Sequence, residues 1–248
     1  MNITFDHIVH FTQSPEKAME TFKHAGFQAF TGGNHPNWGT HNCLCYFQDL
    51  QYIEWIGIKD IEVAKKSDNL LIQQIYADFT SIGEGFSQLA FRTDNMDELV
   101  KELKSKQFTV IGPVPGSRKG SDGTTLTWSM LFIEDEELRF PFFIQWGETN
   151  DARLTNMAEW AKHPAGTTMF STVHLQTPDP SATLKKFADI FTEAEVNFQD
   201  QSLPIGDVLL KFHQKDGPVK PFQCDLTTPS LNTRIEVCSG RYTLSKTV

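Results

Sequence analysis

The sequence predicts an α+β fold assembled from repeated βαβββ units. Two observations carry this. The run Phe5–Thr12 reappears 81 residues later as Phe86–Thr93, and the apolar pattern continues in step, with Ala18, Met19, Phe22 and Phe27 falling on Leu99, Val100, Leu103 and Phe108. Within each copy the hydrophobic period also switches from strand-like to helical and back. Self-similarity at a fixed spacing marks like supersecondary units that share a core.

The elements follow in order. Ile8, Val9 and Phe11 make the first strand. Ser14 caps a helix and Pro15 occupies its first turn. Residues 18, 19, 22 and 25 form its apolar stripe, and Gly26 ends it. Strands are expected at Gln28–Gly32 and Asn42–Gln48, then a closing strand Tyr52-Ile53-Glu54-Trp55-Ile56. Ile58–Gly85 joins the copies and is partly helical around Leu70, Leu71 and Ile75. In the second copy Asp94 or Asn95 caps a helix with Met96, Leu99, Val100 and Leu103 on its buried side. Strands at Thr109–Val114 and Thr124–Ile133 precede the closing strand Phe143-Ile144-Gln145-Trp146. Gly112–Gly123 has Gly or Pro at six of twelve positions and reads as a flexible loop. Arg118 and Lys119 at its tip are placed either to close over an anion or to sit in solvent.

This gives one paired domain over residues 1–150 (units 1–83 and 84–150). A linker, 151–170, carries a short helix near Met157–Ala161. A third, degenerate βαβββ-like unit follows over 171–248. Its signs are a strand at Ser171–Thr177, a turn at Pro178-Asp179-Pro180 and a helical stripe of Leu184, Phe187 and Ile190. Ile235-Glu236-Val237 echoes the closing strands: Glu54, Gln145 and Glu236 are spaced 91 apart. His174 falls at the place of Val9 and Thr172 at that of His7, so this unit reads as structural.

Composition narrows the function classes. The 248 residues hold 39% apolar and 21% charged side chains, with 20 Phe and 5 Trp, which is globular rather than disordered. With 31 acidic against 22 basic residues the net charge is −9, so no nucleic-acid partner is expected. The longest apolar stretch, Phe140–Ile144, is far short of the ~20 residues of a spanning helix. The start, Met-Asn-Ile-Thr-Phe-Asp-His, lacks the basic leader of a secreted chain. The four cysteines, Cys43, Cys45, Cys224 and Cys238, are too sparse for a disulfide scaffold. Cys43 and Cys45 share a strand face and read as buried thiols. A cytoplasmic protein without a membrane partner follows as the expectation.

Strand alternation sorts the faces. Ile8 belongs under the helix, so His7, Val9 and Phe11 face the other way, as do Gln88, Ala90 and Arg92. On the closing strands Ile53, Trp55, Ile144 and Trp146 suit the helix side. Tyr52, Glu54, Phe143 and Gln145 then lie opposite. His7, Glu54, Gln88 and Gln145 thus occupy one repeated pair of positions on one face, where a plain core would not place polar groups. Trp128, with Leu126 and Met130 on its own face, is a candidate pocket wall. No Ser–His–Asp or Cys–His arrangement has support, and the glycine spacing is not that of a P-loop.

Three segments carry a resemblance: His35-Pro36-Asn37-Trp38-Gly39-Thr40-His41-Asn42; Asp122-Gly123 with Leu126-Thr127-Trp128; and Pro141-Phe142-Phe143-Ile144-Gln145-Trp146. With the repeat, they make residues 4–180 resemble glyoxalase-like members of the vicinal oxygen chelate superfamily. The resemblance implies tandem βαβββ modules forming a curled mixed sheet around a metal or ligand, with helices on the outer face. It implies metal ligands on the first and closing strands of each module. His7, Glu54 and Gln88 match, and Gln145 stands where a carboxylate is usual. One imidazole, one carboxylate and two amides form a weak donor set for a divalent ion.

The implied function is that of an enzyme leaning to a glyoxalase-like lyase or isomerase. It would bind a small oxygenated, anionic metabolite in the sheet cavity. Glu54 and His7 would hold a divalent metal or act directly on the substrate. Gln88 and Gln145 would orient it, Asn42, His41 and Arg92 would bind its polar groups, and Trp128 would wall the pocket. The alternative is a non-catalytic protein that sequesters a drug or metabolite without metal. A lone third unit would leave one face unpaired, so a homodimer is expected.

Overall fold

The structure is a computed structural model that describes residues 2–119, 123–192 and 194–247, and it contains two sheets. The first unit is β1 (Ile3–Phe11), α1 (Pro15–His24), β2 (Phe30–His35), β3 (Thr40–Tyr46) and β4 (Tyr52–Ile58). Two helices follow, α2 (Ile61–Lys65) and α3 (Leu70–Ser81). The second unit is β5 (Gly85–Thr93), α4 (Met96–Ser105), β6 (Thr109–Lys119), β7 (Thr125–Glu134) and β8 (Phe142–Trp146). After α5 (Asn150–Met157) come β9 (Met169–Thr177), α6 (Pro180–Ile190), β10 (Ser202–Ile205), β11 (Val208–Gln214), β12 (Lys220–Thr228), β13 (Thr233–Val237) and β14 (Gly240–Lys246).

Both units of the first sheet are βαβββ. Its order is β2-β3-β4-β1-β5-β8-β7-β6, with β1 and β5 antiparallel at the centre and each closing strand parallel to its first strand. The sheet curls until its ends meet, where Arg118 on β6 donates to the Gly32 carbonyl on β2 at 3.1 Å. The helix ends follow local chemistry. Asn95 Oδ1 accepts from the Glu98 amide, and Gly26, at φ 90°, closes α1.

The second sheet obeys the same rule with fewer parts. Its order is β10-β11-β9-β12-β14-β13, with β9 and β12 antiparallel at the centre, β11 parallel to β9 and β14 parallel to β12. The last third is therefore two shortened units, βαββ and a helix-free βββ, and not one. The strand around Glu236 is β13, a sheet edge. Glu236 is exposed beside Arg241 at 3.2 Å, and the closing strands are β11 and β14. The strands after β9 thus find their partner unit within the chain: β9 and β12 pair at the centre of the second sheet.

The sheets pack back to back. Phe5, Ile8, Trp55 and Phe91 of the first share one core with Val173, Leu210, Cys224 and Tyr242 of the second, and α1, α4 and α6 lie in that layer. The inner face of the first sheet is covered by connecting segments. Leu71, Ile72 and Ile75 of α3 pack on Val9, Phe11, Ile56 and Phe142. Ala161 and Met157, after and within α5, pack on Leu44, Tyr46 and Tyr52.

The structure departs from the sequence reading in two places. On β8 it is Phe143 that joins the helix-side core, while Phe142, Ile144 and Trp146 face inward. With apolar residues on both faces, parity could not be read from alternation. Gly112–Lys119 is likewise not a loop: it belongs to β6 and pairs with β7 as far as Lys119↔Thr125. Pro113 and Pro115 are tolerated because β6 is an edge strand, whose outward nitrogens need no partner. Asp122 lies outside the described residues. The linker helix expected near Met157–Ala161 is found earlier, as α5.

One buried histidine locks the sheets together. His10 on β1 is fully buried, with Nδ1 2.7 Å from the Tyr242 hydroxyl and Nε2 2.8 Å from the Cys238 carbonyl. A carbonyl only accepts, so Nε2 carries the proton and the Tyr242 hydroxyl donates to Nδ1. Cys238 and Ser239, both at positive φ, form the two-residue turn between β13 and β14. At Gly240 an added Cβ would lie 2.4 Å from the His10 ring, which explains glycine there.

Burial drives the His10 pKa down to about 4, although the Cys238 carbonyl and Glu84 partly oppose this. The unfolded chain therefore binds the extra proton between pH 6.5 and 4, and stability falls as pH drops through that window. A shift of that size corresponds to about 3 kcal/mol. Urea melts of the wild type and His10→Asn at pH 7, 5.5 and 4 should show that part of the pH dependence only in the wild type.

Candidate functional site

The inner face of the first sheet encloses a chamber of about 60 Å³. Its polar lining comes from β1 (His7), β3 (Asn42), β4 (Glu54) and the residues around the Pro36–Trp38 turn. Trp38, Trp128 and Trp146 are aromatic walls. His35, Trp38, Arg118, Trp128 and Trp146 also border a wider surface groove, so the chamber is the deep end of that groove.

A bulge builds the centre. On β1, Phe5 pairs with Phe91 and His7 with Ala90, which leaves Asp6 as the extra residue. Asp6 and His7 consequently turn to the inner side together. Asp6, 0% exposed, accepts from His7 Nδ1 at 2.7 Å and from Trp146 Nε1 at 3.1 Å. Arg153 Nη1 approaches at 3.4 Å and Arg92 at 4.0 Å. Burial alone would raise the Asp6 carboxyl, but Arg153, the His7 hydrogen bond and Arg92 outweigh it and lower its pKa to about 2. Asp6 thus stays ionised and fixes Nδ1–H of His7. The His7 ring stacks on Tyr52 at 4.3 Å, and its Nε2 points at Glu54 Oε2, 3.7 Å away.

Glu54 Oε1 accepts from Asn42 Nδ2 at 2.5 Å. Asn42 Oδ1 is buried and meets no hydrogen-bond donor among the described residues. Tyr46 is pushed up to about 12 and Tyr52 also upward, both by burial, so both remain phenols. Burial lowers His35, against the pull of Glu54; its Nδ1 lies 3.0 Å from Thr40 Oγ1.

The sequence-derived candidates divide. His7, Glu54, Asn42 and Trp128 meet in the chamber. Gln88 shares the inner face but lies beneath α3, donating to the Phe140 carbonyl at 2.8 Å and to Gln74 at 3.2 Å. Gln145 points the other way and accepts from the Met96 amide at the start of α4. Arg92 donates to the Phe5 carbonyl at 2.6 Å, beside Asp6. His41 lies on the outer face, 3.3 Å from Glu16 of α1.

The registers explain Gln145. Val9 pairs with Glu54 and Ala90 with Phe142, so Phe142 holds the place of Glu54 in the second unit. His7, Glu54, Gln88 and Gln145 therefore do not form one metal-donor set, and among the described residues no three His, Cys, Asp or Glu side chains converge as ligands. Sequence reasoning missed Asp6, His35, Tyr46 and Arg153. Alternation signalled Tyr46, but nothing local signalled Arg153, which arrives from 147 residues away.

A search of curated proteins finds no match. Among solved structures, a hypothetical protein from Staphylococcus aureus is 20% identical, with each chain covered over 100% of its length and a TM-score of 0.87. That likeness shows a common fold over both sheets. A methylmalonyl-CoA epimerase solved with methylmalonyl-CoA and NH4+ is 17% identical over 59% of this chain and 94% of its own (TM-score 0.43). The Mycobacterium tuberculosis methylmalonyl-CoA epimerase is 16% identical over 60% and 91% (TM-score 0.43). At that score neither epimerase bears on the chemistry of this chain. The model of the glyoxalase-like domain matches residues 5–191, well over half of the sequence. The paired βαβββ units and this match agree: the chain belongs to the glyoxalase-like domain family of the vicinal oxygen chelate superfamily.

Proposed function

We propose that the chamber is an acid–base site that moves a proton on a small oxygenated, anionic metabolite, as a lyase or isomerase does. The carrying observation is the line Asp6–His7···Glu54. An ionised, buried carboxylate sets the imidazole, and a second carboxylate faces the same point from the next strand. Glu54 is the base that takes a proton from a carbon next to a carbonyl, and His7 Nε2 is the group that returns or relays it. Asn42 holds Glu54, while its free Oδ1 accepts from a substrate hydroxyl. The neutral phenols of Tyr46 and Tyr52 face the carbonyl oxygen, where charge develops.

The chamber suits the reacting end alone, and the rest of the molecule lies in the groove past Arg118, whose charge favours an anion. Among the described residues no three His, Cys, Asp or Glu side chains gather as ligands there, and the proposed steps use the side chains alone. Four free cysteines, three of them fully buried, are in keeping with a cytoplasmic setting.

A second reading, sequestration of an aromatic compound without turnover, is favoured by the three tryptophans on the walls. Hydrogen–deuterium exchange separates the two. In D2O, compact 2-oxo acids should exchange their α-protons with the wild type, and Glu54→Gln should slow this by about 10²–10⁴-fold. Binding without exchange in either protein would establish the second reading.

The support of His7 has its own expected signature. Arg153→Met leaves the Asp6 charge buried without its main partner and should cost about 3–5 kcal/mol in chemical denaturation. Asp6→Asn should retain ligand binding while losing exchange, because His7 then lacks its anchor. Unchanged exchange in Asp6→Asn would remove His7 from the mechanism.

A further inference from the structure

The second sheet carries a hydrogen-bonded chain that the chamber does not use. Its face turned away from the shared core presents His174 on β9, His213 on β11 and Asp225 on β12. His174 Nε2 lies 2.9 Å from Asp225 Oδ2, and His174 Nδ1 lies 2.8 Å from His213 Nε2. Gln223 donates to the other Asp225 oxygen at 2.8 Å. All three members are partly exposed.

The protons can be placed. Asp225 accepts, so His174 carries its proton on Nε2 and offers a lone pair at Nδ1. His213 must then donate from Nε2, and its own lone pair remains at Nδ1. This is the pattern of a terminal group, a relay and an orienting carboxylate. These strands also stand where β1, β4 and β5 stand in the first sheet, so the chain bridges the equivalent central positions.

We propose that Asp225–His174–His213 is a second acid–base site, with His213 Nδ1 as the working atom and a small organic anion as its ligand. Lys211 and Lys215 supply positive charge on that side. Phe222, whose ring centroid is 5.4 Å from that of His213, supplies an apolar wall, with the Lys215 ammonium over it at 5.5 Å. As Nδ1 takes a proton, the Nε2 proton of His213 passes to His174 Nδ1, and the resulting imidazolium rests against the Asp225 carboxylate. Burial, His174 and Lys211 lower the His213 pKa against the pull of Asp225, which keeps its lone pair free at neutral pH. Burial raises Asp225, but the bonds from His174 and Gln223 outweigh it and keep it ionised.

The test uses the full chain with Glu54→Gln and His7→Gln, which silence the first site, and p-nitrophenyl acetate as probe. His213 Nδ1 attacks the acetyl carbon, the ester C–O bond breaks, p-nitrophenolate leaves with the electron pair, and the Nε2 proton moves to His174. Peptide mass mapping should place the acetyl group on His213. His174→Gln and the isosteric Asp225→Asn, each checked for unchanged melting, should slow the reaction at least about tenfold. Benzoate should compete. Acetylation elsewhere, a rate equal to that of free imidazole, or a rate indifferent to Asp225→Asn would overturn the proposal.

Discussion

A carboxylate removed from water is tolerable only where positive charge or hydrogen bonds replace its hydration, and Asp6 shows how much structure that requirement organises. Its partners come from four places in the chain: His7 beside it, Arg92 from the central strand of the second unit, Trp146 from the last strand of that unit, and Arg153 from the helix beyond. The guanidinium of Arg153 also lies 4.2 Å over the Trp146 ring. Satisfying one bulged residue therefore fixes how the two units meet, where α5 docks and which way the His7 ring turns. Position and chemistry of the site descend from the same buried charge.

The two sheets solve a related problem for the outer surface. A half-barrel of two units leaves a broad apolar back between its helices. Here a second, trimmed half-barrel covers that back, and the two share one core. His10 and Tyr242 supply a directional part of this contact, with the Phe170 amide on Gln51 and Lys186 on Asp135 adding to it, and dispersion and burial supply the rest. The paired histidines of the second sheet then lie on its far side, remote from the chamber.

The repeat made the first sheet legible. Strand–helix–strand periodicity, Pro15 in the first turn of α1, the Asn95 cap and the Gly26 stop are local signals that the structure uses locally, whereas Ser14 stands at the start of α1 without a side-chain cap bond. His7 and Glu54 could be found because alternation was clean where one face was plainly apolar. It failed on β8, where Phe142 to Trp146 are large on both sides and only the pairing with β5 decides. It failed at Gly112–Lys119, where glycine and proline denote a loop unless the strand is known to be an edge. The second sheet was half legible, because its units have lost a helix or a strand and with it the period. Asp6 and Arg153 were out of reach because the bond between them exists only in the folded chain.

The chamber draws on two kinds of sequence. The floor is repeat-derived strand, tied into ladders on both sides. Part of the wall comes from a connection between units: Leu71 and Ile72 of α3 line the chamber, and Met157 of α5 and Ala161, from the join of the sheets, pack on Tyr46 and Tyr52 of the lining. Connections can lengthen, shorten or change composition without disturbing a strand register. That part of the lining is therefore separable from foldability. Relatives could reshape that side of the chamber by rewriting their joints while the His7–Glu54 pair on the sheet stays where it is.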